Sequence, residues 1–185
     1  MSYRSCNYAA FYVAEPFNQY NLGAFAAKDF CYYQTLKAWR GKDLSFPFYD
    51  AHDKTYDVRD GSDWERTLKP RLHERLREYS KNIILFLSSN TCNSRALREE
   101  IDYGMCYLGL PVIVVYPELS QDEITVDRKI KWAAERLWDK LPIFRDNFRN
   151  VPTCHVPLNK ELITRALNDK DFTIQGKTAN YLWSY

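Results

Sequence analysis

Glycine is scarce, six in 185 residues, and none of the six falls into Gly-x-Gly-x-x-Gly or a Walker-type Gly-Lys-Ser/Thr loop. Both common backbone cradles for nucleotide phosphates are missing, which excludes a Rossmann dehydrogenase and a P-loop NTPase. The five cysteines (Cys6, Cys31, Cys92, Cys106, Cys154) never pair as Cys-x-x-Cys, and the three histidines (His52, His73, His155) stand far apart. Neither set has the spacing of a zinc site or a thiol-exchange motif, so no metal is expected and the thiols read as reduced. Charge of one sign is lacking too: 26 Lys and Arg against 24 Asp and Glu leave +2. That is too little for a surface that binds nucleic acid electrostatically. No apolar run approaches the roughly 18 residues that cross a bilayer, and Met1 to Ser5 lead into no signal-type apolar core. The expectation is a soluble, cytoplasmic protein with neither nucleic acid nor membrane as partner.

What is present, 45% hydrophobic and 16% aromatic content, is enough for one domain with a sizeable core. Residues 8 to 14 form a short apolar run that predicts a first strand, followed by a loop from Glu15 to Asn21. From Gly23 to Trp39, Phe25, Phe30, Tyr33, Leu36 and Trp39 recur at helical spacing. Phe46 to Asp50 reads as a second strand, and the residues from Ala51 to Gly61 as an exposed polar loop. Ser62-Asp-Trp-Glu65 has the form of a capping box opening a helix through Leu76, with a kink or restart at Pro70. The basic residues between Lys69 and Lys81 read as the wet side of that helix.

Asn82 to Ser88 is an uninterrupted apolar run suited to a central parallel strand. A polar turn follows, then a helix from Ser94 to Leu108 carrying Leu97, Ile101, Met105 and Leu108 on one stripe. Pro111 to Tyr116 is the fourth predicted strand. Ser120-Gln-Asp-Glu123 opens a predicted helix reaching Leu141, Pro152 to Pro157 reads as an edge strand, and Asn159 caps a last helix. This alternation predicts one doubly wound, flavodoxin-like α/β domain over residues 1–168 with a mostly parallel five-stranded sheet. Residues 169–185 are expected to form a C-terminal extension docked on the domain. Ligands of such folds bind at the carboxyl ends of the strands, which directs attention to the loops after Ala14, Asp50, Ser88 and Tyr116.

Ser88 to Ser94 is rich in small polar side chains just before a helix start, where bare amides can hold a phosphate, although any strand-to-helix turn needs the same composition. Ser88, Ser89 and Asn93 are the candidate contacts there. Two carboxylates follow on the helix. At about 100° per residue, a stripe centred near Ile101 puts Glu99 almost opposite, as a solvated charge, and Glu100 roughly 80° away, on the border of the buried face. Glu100 is either a boundary residue paired with Arg95 or Arg98, or a carboxylate aimed along the cleft. A third reading makes Cys92 a nucleophile at the helix amides, with His155 and Asp50 completing its site.

Phe48-Tyr49-Asp50-Ala51, the helix through Leu76, and Asn82-Ile-Ile-Leu-Phe-Leu-Ser-Ser-Asn-Thr-Cys-Asn-Ser-Arg-Ala-Leu-Arg-Glu-Glu-Ile-Asp-Tyr-Gly up to the strand ending at Tyr116 resemble the TIR-like domains of bacteria, in particular the ThsB subunits of Thoeris anti-phage systems. The resemblance spans roughly residues 7 to 117 and is most specific in the Ser/Thr/Asn turn and the Arg-x-x-Glu-Ile helix. It implies a TIR-type fold and cleavage of the nicotinamide–ribose bond, with NAD as substrate and not as cofactor and Glu100 as the catalytic residue. It implies an ADP-ribose-derived, cyclic or conjugated signalling nucleotide read by an effector protein, a phage-derived activator, and self-assembly on activation. The chain departs from the pattern at Tyr12-Val13-Ala14, where such domains often close the first strand with Ser, and at Ala96, where they often carry Trp. Phe11 or Tyr12 is then the aromatic expected to face the nicotinamide, with Asp50, Ser88, Ser89 and Asn93 as further substrate contacts. Two alternatives remain, a non-catalytic adaptor that signals by assembly and a nucleoside deoxyribosyltransferase-like enzyme.

Overall fold

The apolar run at the centre of the chain becomes strand β2, Ser80–Phe86, in which Ile83, Ile84, Leu85 and Phe86 keep no exposure at all. A strand covered on both faces needs apolar side chains in both directions, and this run supplies them. The computed structural model describes residues 4–13, 26–55, 63–127, 129–172 and 182–183; the predicted loop from Glu15 to Asn21, residues 56–61 of the expected polar loop, the cap residue Ser62 and most of the expected C-terminal extension lie outside them.

Beside β2 runs β1, Cys6–Ala10, and on its other side β3, Val112–Tyr116. Helix α1, Ala26–Lys42, lies on one face. A helix with widened, π-type turns at Trp64–Leu68 and Arg75–Tyr79 lies on the other, enclosing the α-helical stretch α2, Lys69–Glu74. Pro70 sits in the first turn of α2, so the helix restarts there because a proline needs no amide partner at that position. The cap of this helix is Asp63, whose carboxylate accepts from the Arg66 amide at 2.7 Å. Helix α3, Arg95–Ile101, continues through the π-type turn Asp102–Tyr107. Gly104 lets this turn approach β2, since a Cβ there would stand 2.5 Å from Ile83 Cδ1.

The helix expected from Ser120 to Leu141 is not continuous. It breaks into α4, Gln121–Ile124, an antiparallel ribbon of β4, Thr125–Val126, and β5, Lys129–Ile130, then α5, Trp132–Trp138, and α6, Pro142–Asn147. The β-branched Thr125 and Val126 leave the helix readily, and Asp127, with φ of 47°, turns the ribbon. Strand β6, Thr153–Pro157, and helix α7, Lys160–Asn168, follow, the Asn159 side chain accepting from Leu162 N at 3.1 Å.

The sheet order is β1-β2-β3-β6 with all pairs parallel, plus a short β7, Leu182–Trp183, pairing Thr153 and Cys154 on the outside of β6. Four full strands thus form the sheet, and β6 is not its edge where β7 covers it. Phe46 to Asp50 does not form the expected strand. It lies beside β1, where a flavodoxin-like sheet would place its second strand, and touches β1 by the single bridge Asp50 to Asn7. Pro47 has no amide for a ladder, and Asn7 takes over the pairing: its Oδ1 accepts from Tyr49 N at 2.8 Å, and its carbonyl from Ala51 N at 3.0 Å.

Two apolar layers sandwich the sheet. Tyr8, Ala10, Ile83 and Leu85 face Leu76, Leu97, Ile101 and Met105, while Ala9, Ile84 and Phe86 face Tyr33, Leu36, Ile163 and Phe172. The alternation along β1 therefore sends Tyr8 toward α3 and leaves α1 on the far side.

Candidate functional site

Helix α3 starts after β2, capped by Ser94 Oγ accepting from Leu97 N at 3.2 Å, and descends along the sheet with Leu97 and Ile101 buried. That phase brings Glu100 over the middle of β1, where Tyr8 donates its hydroxyl to Glu100 Oε1 at 2.9 Å. Neither Arg95 nor Arg98 is its partner; Arg95 reaches Glu65 at 2.6 Å. Burial pushes the Glu100 acid up to about 8, against the Tyr8 hydrogen bond and the Arg75 charge, which both favour the carboxylate. A half-buried carboxylic acid poised near neutral pH is a common property of groups that do chemistry.

Glu99 is not the free surface charge that helical phase implies. It is half-buried, and its Oε1 accepts from His73 Nε2 at 2.8 Å and pairs with Lys69 at 3.2 Å. Burial pushes its acid up, but the bonds to His73 and Lys69 outweigh this and hold it below the usual range. Neighbouring carboxylates on one helix are thus set to opposite protonation behaviour, one by cations and one by burial beside a phenol.

The Tyr8 ring packs on His52 with centroids 4.7 Å apart. His52 Nε2 lies 3.0 Å from the Ala9 carbonyl; a carbonyl only accepts, so this nitrogen carries the proton. Nδ1 is then the acceptor, and Arg75 Nη1 approaches it at 3.4 Å, while Arg75 Nε donates to Thr55 Oγ1. Burial keeps the His52 ring neutral by lowering its pKa. Asp50 Oδ1 accepts from His52 N at 2.9 Å, Asp50 Oδ2 accepts from the Tyr33 hydroxyl, and Lys37 stands 3.6 Å away. A continuous set of contacts therefore runs from Asp50 through His52 and Tyr8 to Glu100.

The candidate contacts named from sequence are dispersed around this centre. Asp50 has a side chain only 3% exposed with both oxygens engaged, so it braces His52; it also lines a cavity together with Lys37, Tyr49 and Asp53. Ser88 is buried, its hydroxyl donating to Asp29 at 2.7 Å, and Ser89 is tied to Glu118 through its amide and hydroxyl at 2.9 Å each. Asn93 is exposed beyond them. Phe11 and Tyr12 leave β1 on opposite faces: Phe11 stacks on Tyr33 at 5.0 Å, and Tyr12 packs on the layer that contains Tyr8, Leu97 and Ile101. Of the two aromatics, Tyr12 shares the Glu100 side.

Three residues of the centre escaped the sequence. Tyr8 lay inside an apolar run, His52 in an expected exposed loop that instead begins with fully buried Ala51 and a tight turn over His52–Lys54, and Arg75 in a helix side read as wet. The alternation Tyr8, Ala10, Tyr12 was the available signal for the first.

The nucleophile constellation does not assemble. His155 is buried on β6, its Nδ1 hydrogen-bonded with the Tyr116 hydroxyl at 2.8 Å and its Nε2 3.3 Å from Thr153 Oγ1. Asp50 lies beyond the opposite margin, with β1, β2 and β3 between them. Cys92→Ser should accordingly retain at least about half of any turnover, since the turn keeps its polar character; loss of activity in a folded variant, with a trapped thiol adduct, would return Cys92 to the chemistry. Among the described residues no three His, Cys, Asp or Glu side chains gather to hold a metal ion, and no helix is long and apolar enough to cross a membrane.

The family model described as Thoeris protein ThsB, TIR-like domain, matches residues 8–122, a span from Tyr8 through Glu100 to α4. The chain belongs to this family. Its ThsB-type TIR-like domain is a Thoeris defence-related one, and the matched span holds every group of the Asp50–His52–Tyr8–Glu100 set.

Proposed function

We propose that the protein cleaves the bond between nicotinamide and ribose in NAD, with Glu100 as the catalytic carboxylate, and converts the ADP-ribose part to a signalling nucleotide. The observation that carries this reading is the half-buried Glu100 held by Tyr8 at 2.9 Å over the middle of β1, in a chain of the ThsB family.

As the C1′–N bond breaks, its electron pair goes to the nicotinamide nitrogen, nicotinamide leaves neutral, and positive charge grows on the ribose ring. A fixed carboxylate beside the ribose stabilises that charge more in the transition state than in the ground state. The cationic nicotinamide ring also draws Glu100 toward its ionised form on binding, as any nearby opposite charge does. Tyr12 is the aromatic for the nicotinamide face, and Asn93 a polar contact at the mouth. Water or a hydroxyl of the same molecule then attacks C1′ and releases its proton to solvent, giving ADP-ribose or a cyclic product. A phage-derived trigger, with or without self-assembly, brings the enzyme to full rate, and an effector reads the product.

A substrate panel tests the reaction class. Pure protein, with and without lysate of phage-infected cells, is expected to release nicotinamide from NAD and to leave free nucleosides intact. Base exchange on nucleosides would mark a deoxyribosyltransferase-like enzyme, and inertness toward every substrate in both arms would mark an adaptor.

A further inference from the structure

We propose that Tyr8 is the positioning residue for Glu100: its phenol holds Oε1 so that Oε2 is the oxygen left for the substrate, and it stabilises the ionised carboxylate. The proposal rests on Glu100 being the catalytic group. Its basis is geometric. Tyr8 is 1% exposed, its backbone is paired with Ile83 in the centre of the β1–β2 ladder, and its ring is packed against His52. His52 is fixed in turn by the Ala9 carbonyl and by Asp50. The phenol therefore has one place to point, and Glu100 Oε1 is there at 2.9 Å.

Burial and the Glu100 charge hold the Tyr8 phenol well above its usual range, so it stays a donor at any working pH. A donor of this kind favours the charged acceptor and fixes which of two equivalent oxygens is occupied. The other groups facing Glu100 are few. Arg75 contributes a positive charge from the turn after α2, His52 is neutral behind the Tyr8 ring, and Asp50 lies one layer further out, closed by Tyr33 and Lys37. On its own helix, Glu99 is already paired with His73 and Lys69.

Tyr8→Phe keeps the ring and removes only the donor. The expected result is a kcat about tenfold lower at pH 7 with KM changed less than about twofold, and an acidic limb of the pH–rate profile moved up by about one pH unit, so that much of the loss is recovered at pH 9. A merely structural role would lower the rate equally at every pH. The same bond is read without turnover by NMR titration of 13C-labelled glutamate carboxyls, with the Glu100 signal assigned by its absence in Glu100→Gln. That signal is expected to titrate at higher pH in Tyr8→Phe than in the wild type. An unchanged titration overturns the role of Tyr8 whatever the kinetics, whereas a shifted titration in a protein that never turns over NAD upholds the bond and overturns the catalytic reading of Glu100.

Discussion

Glu100→Gln should lower NAD turnover by at least about 100-fold, the scale of losing a preorganised electrostatic stabiliser of the transition state, while Glu99→Gln should keep most of it. The two carboxylates are adjacent in sequence but not in environment. Glu99 is bound to Lys69 and His73 on the neighbouring helix, and losing such partly exposed ion pairs costs about 1 kcal/mol or less. Glu100 meets β1 through Tyr8 and has the Arg75 charge within reach. Glutamine at 100 still accepts from the phenol, so the fold is kept and only the charge is lost. A dead Glu99→Gln beside an active Glu100→Gln would mean that the cleft lies on the α2 side of α3, and the site would have to be rebuilt around His73.

The same substitution exposes a large acid sensitivity in the folded chain. His155 is fully buried, and burial pushes its pKa down to about 3. The unfolded imidazole binds a proton near pH 6.5, so the unfolded state takes up more protons below that pH. The stability this residue contributes is complete above about 6.5 and is lost as the pH falls toward about 3. Glu100 works in the opposite sense: its folded acid is raised to about 8, so it contributes stability at low pH that is lost as the pH rises through about 8. In the wild type the two effects oppose each other across pH 4.5 to 6.5. Glu100→Gln removes one of them, and urea unfolding should then show stability falling by at least roughly 1.4 kcal/mol per pH unit below about 6.5, since the buried His52 acts in the same direction as His155. A further His155→Gln change should make that slope shallower above about pH 4.5, where His52, whose pKa burial also lowers, keeps a part of it, and below which the lowered carboxylates, Asp43, Glu99, Glu123 and Asp146 among them, add their own. A slope unchanged by His155→Gln would show that the Tyr116–His155 contact opens to admit the proton.

Whatever has a period or an unbroken run is legible in the sequence. β2 and β3 are apolar enough to announce buried parallel strands, and the stripe Leu97, Ile101 and Met105 fixes the phase that turns Glu100 inward. The contacts that complete the site are long-range and polar. Tyr8 and Glu100 are 92 positions apart, and a tyrosine in an apolar run carries no mark of its hydroxyl's partner. Asp50 reads from sequence as an acidic residue ending a strand, yet Pro47 and the Asn7 side chain replace that strand by one bridge and turn the carboxylate onto His52 and Tyr33. The long helix expected after Ser120 failed for a local reason, the Thr125-Val126-Asp127 turn, which a search for spaced leucines passes over. Ser88 and Ser89 have the composition of a phosphate turn, but Asp29 and Glu118 occupy their hydroxyls, and composition alone does not distinguish the two uses.

Mass spectrometry of NAD incubated with pure wild-type protein and with Glu100→Gln, each with and without lysate of phage-infected cells, bears most directly on the central claim. The account predicts free nicotinamide and an ADP-ribose-derived nucleotide in the wild-type arms, more of both with the lysate, and neither with Glu100→Gln. Intact NAD in every wild-type arm, or equal nicotinamide release by the two proteins, would contradict it.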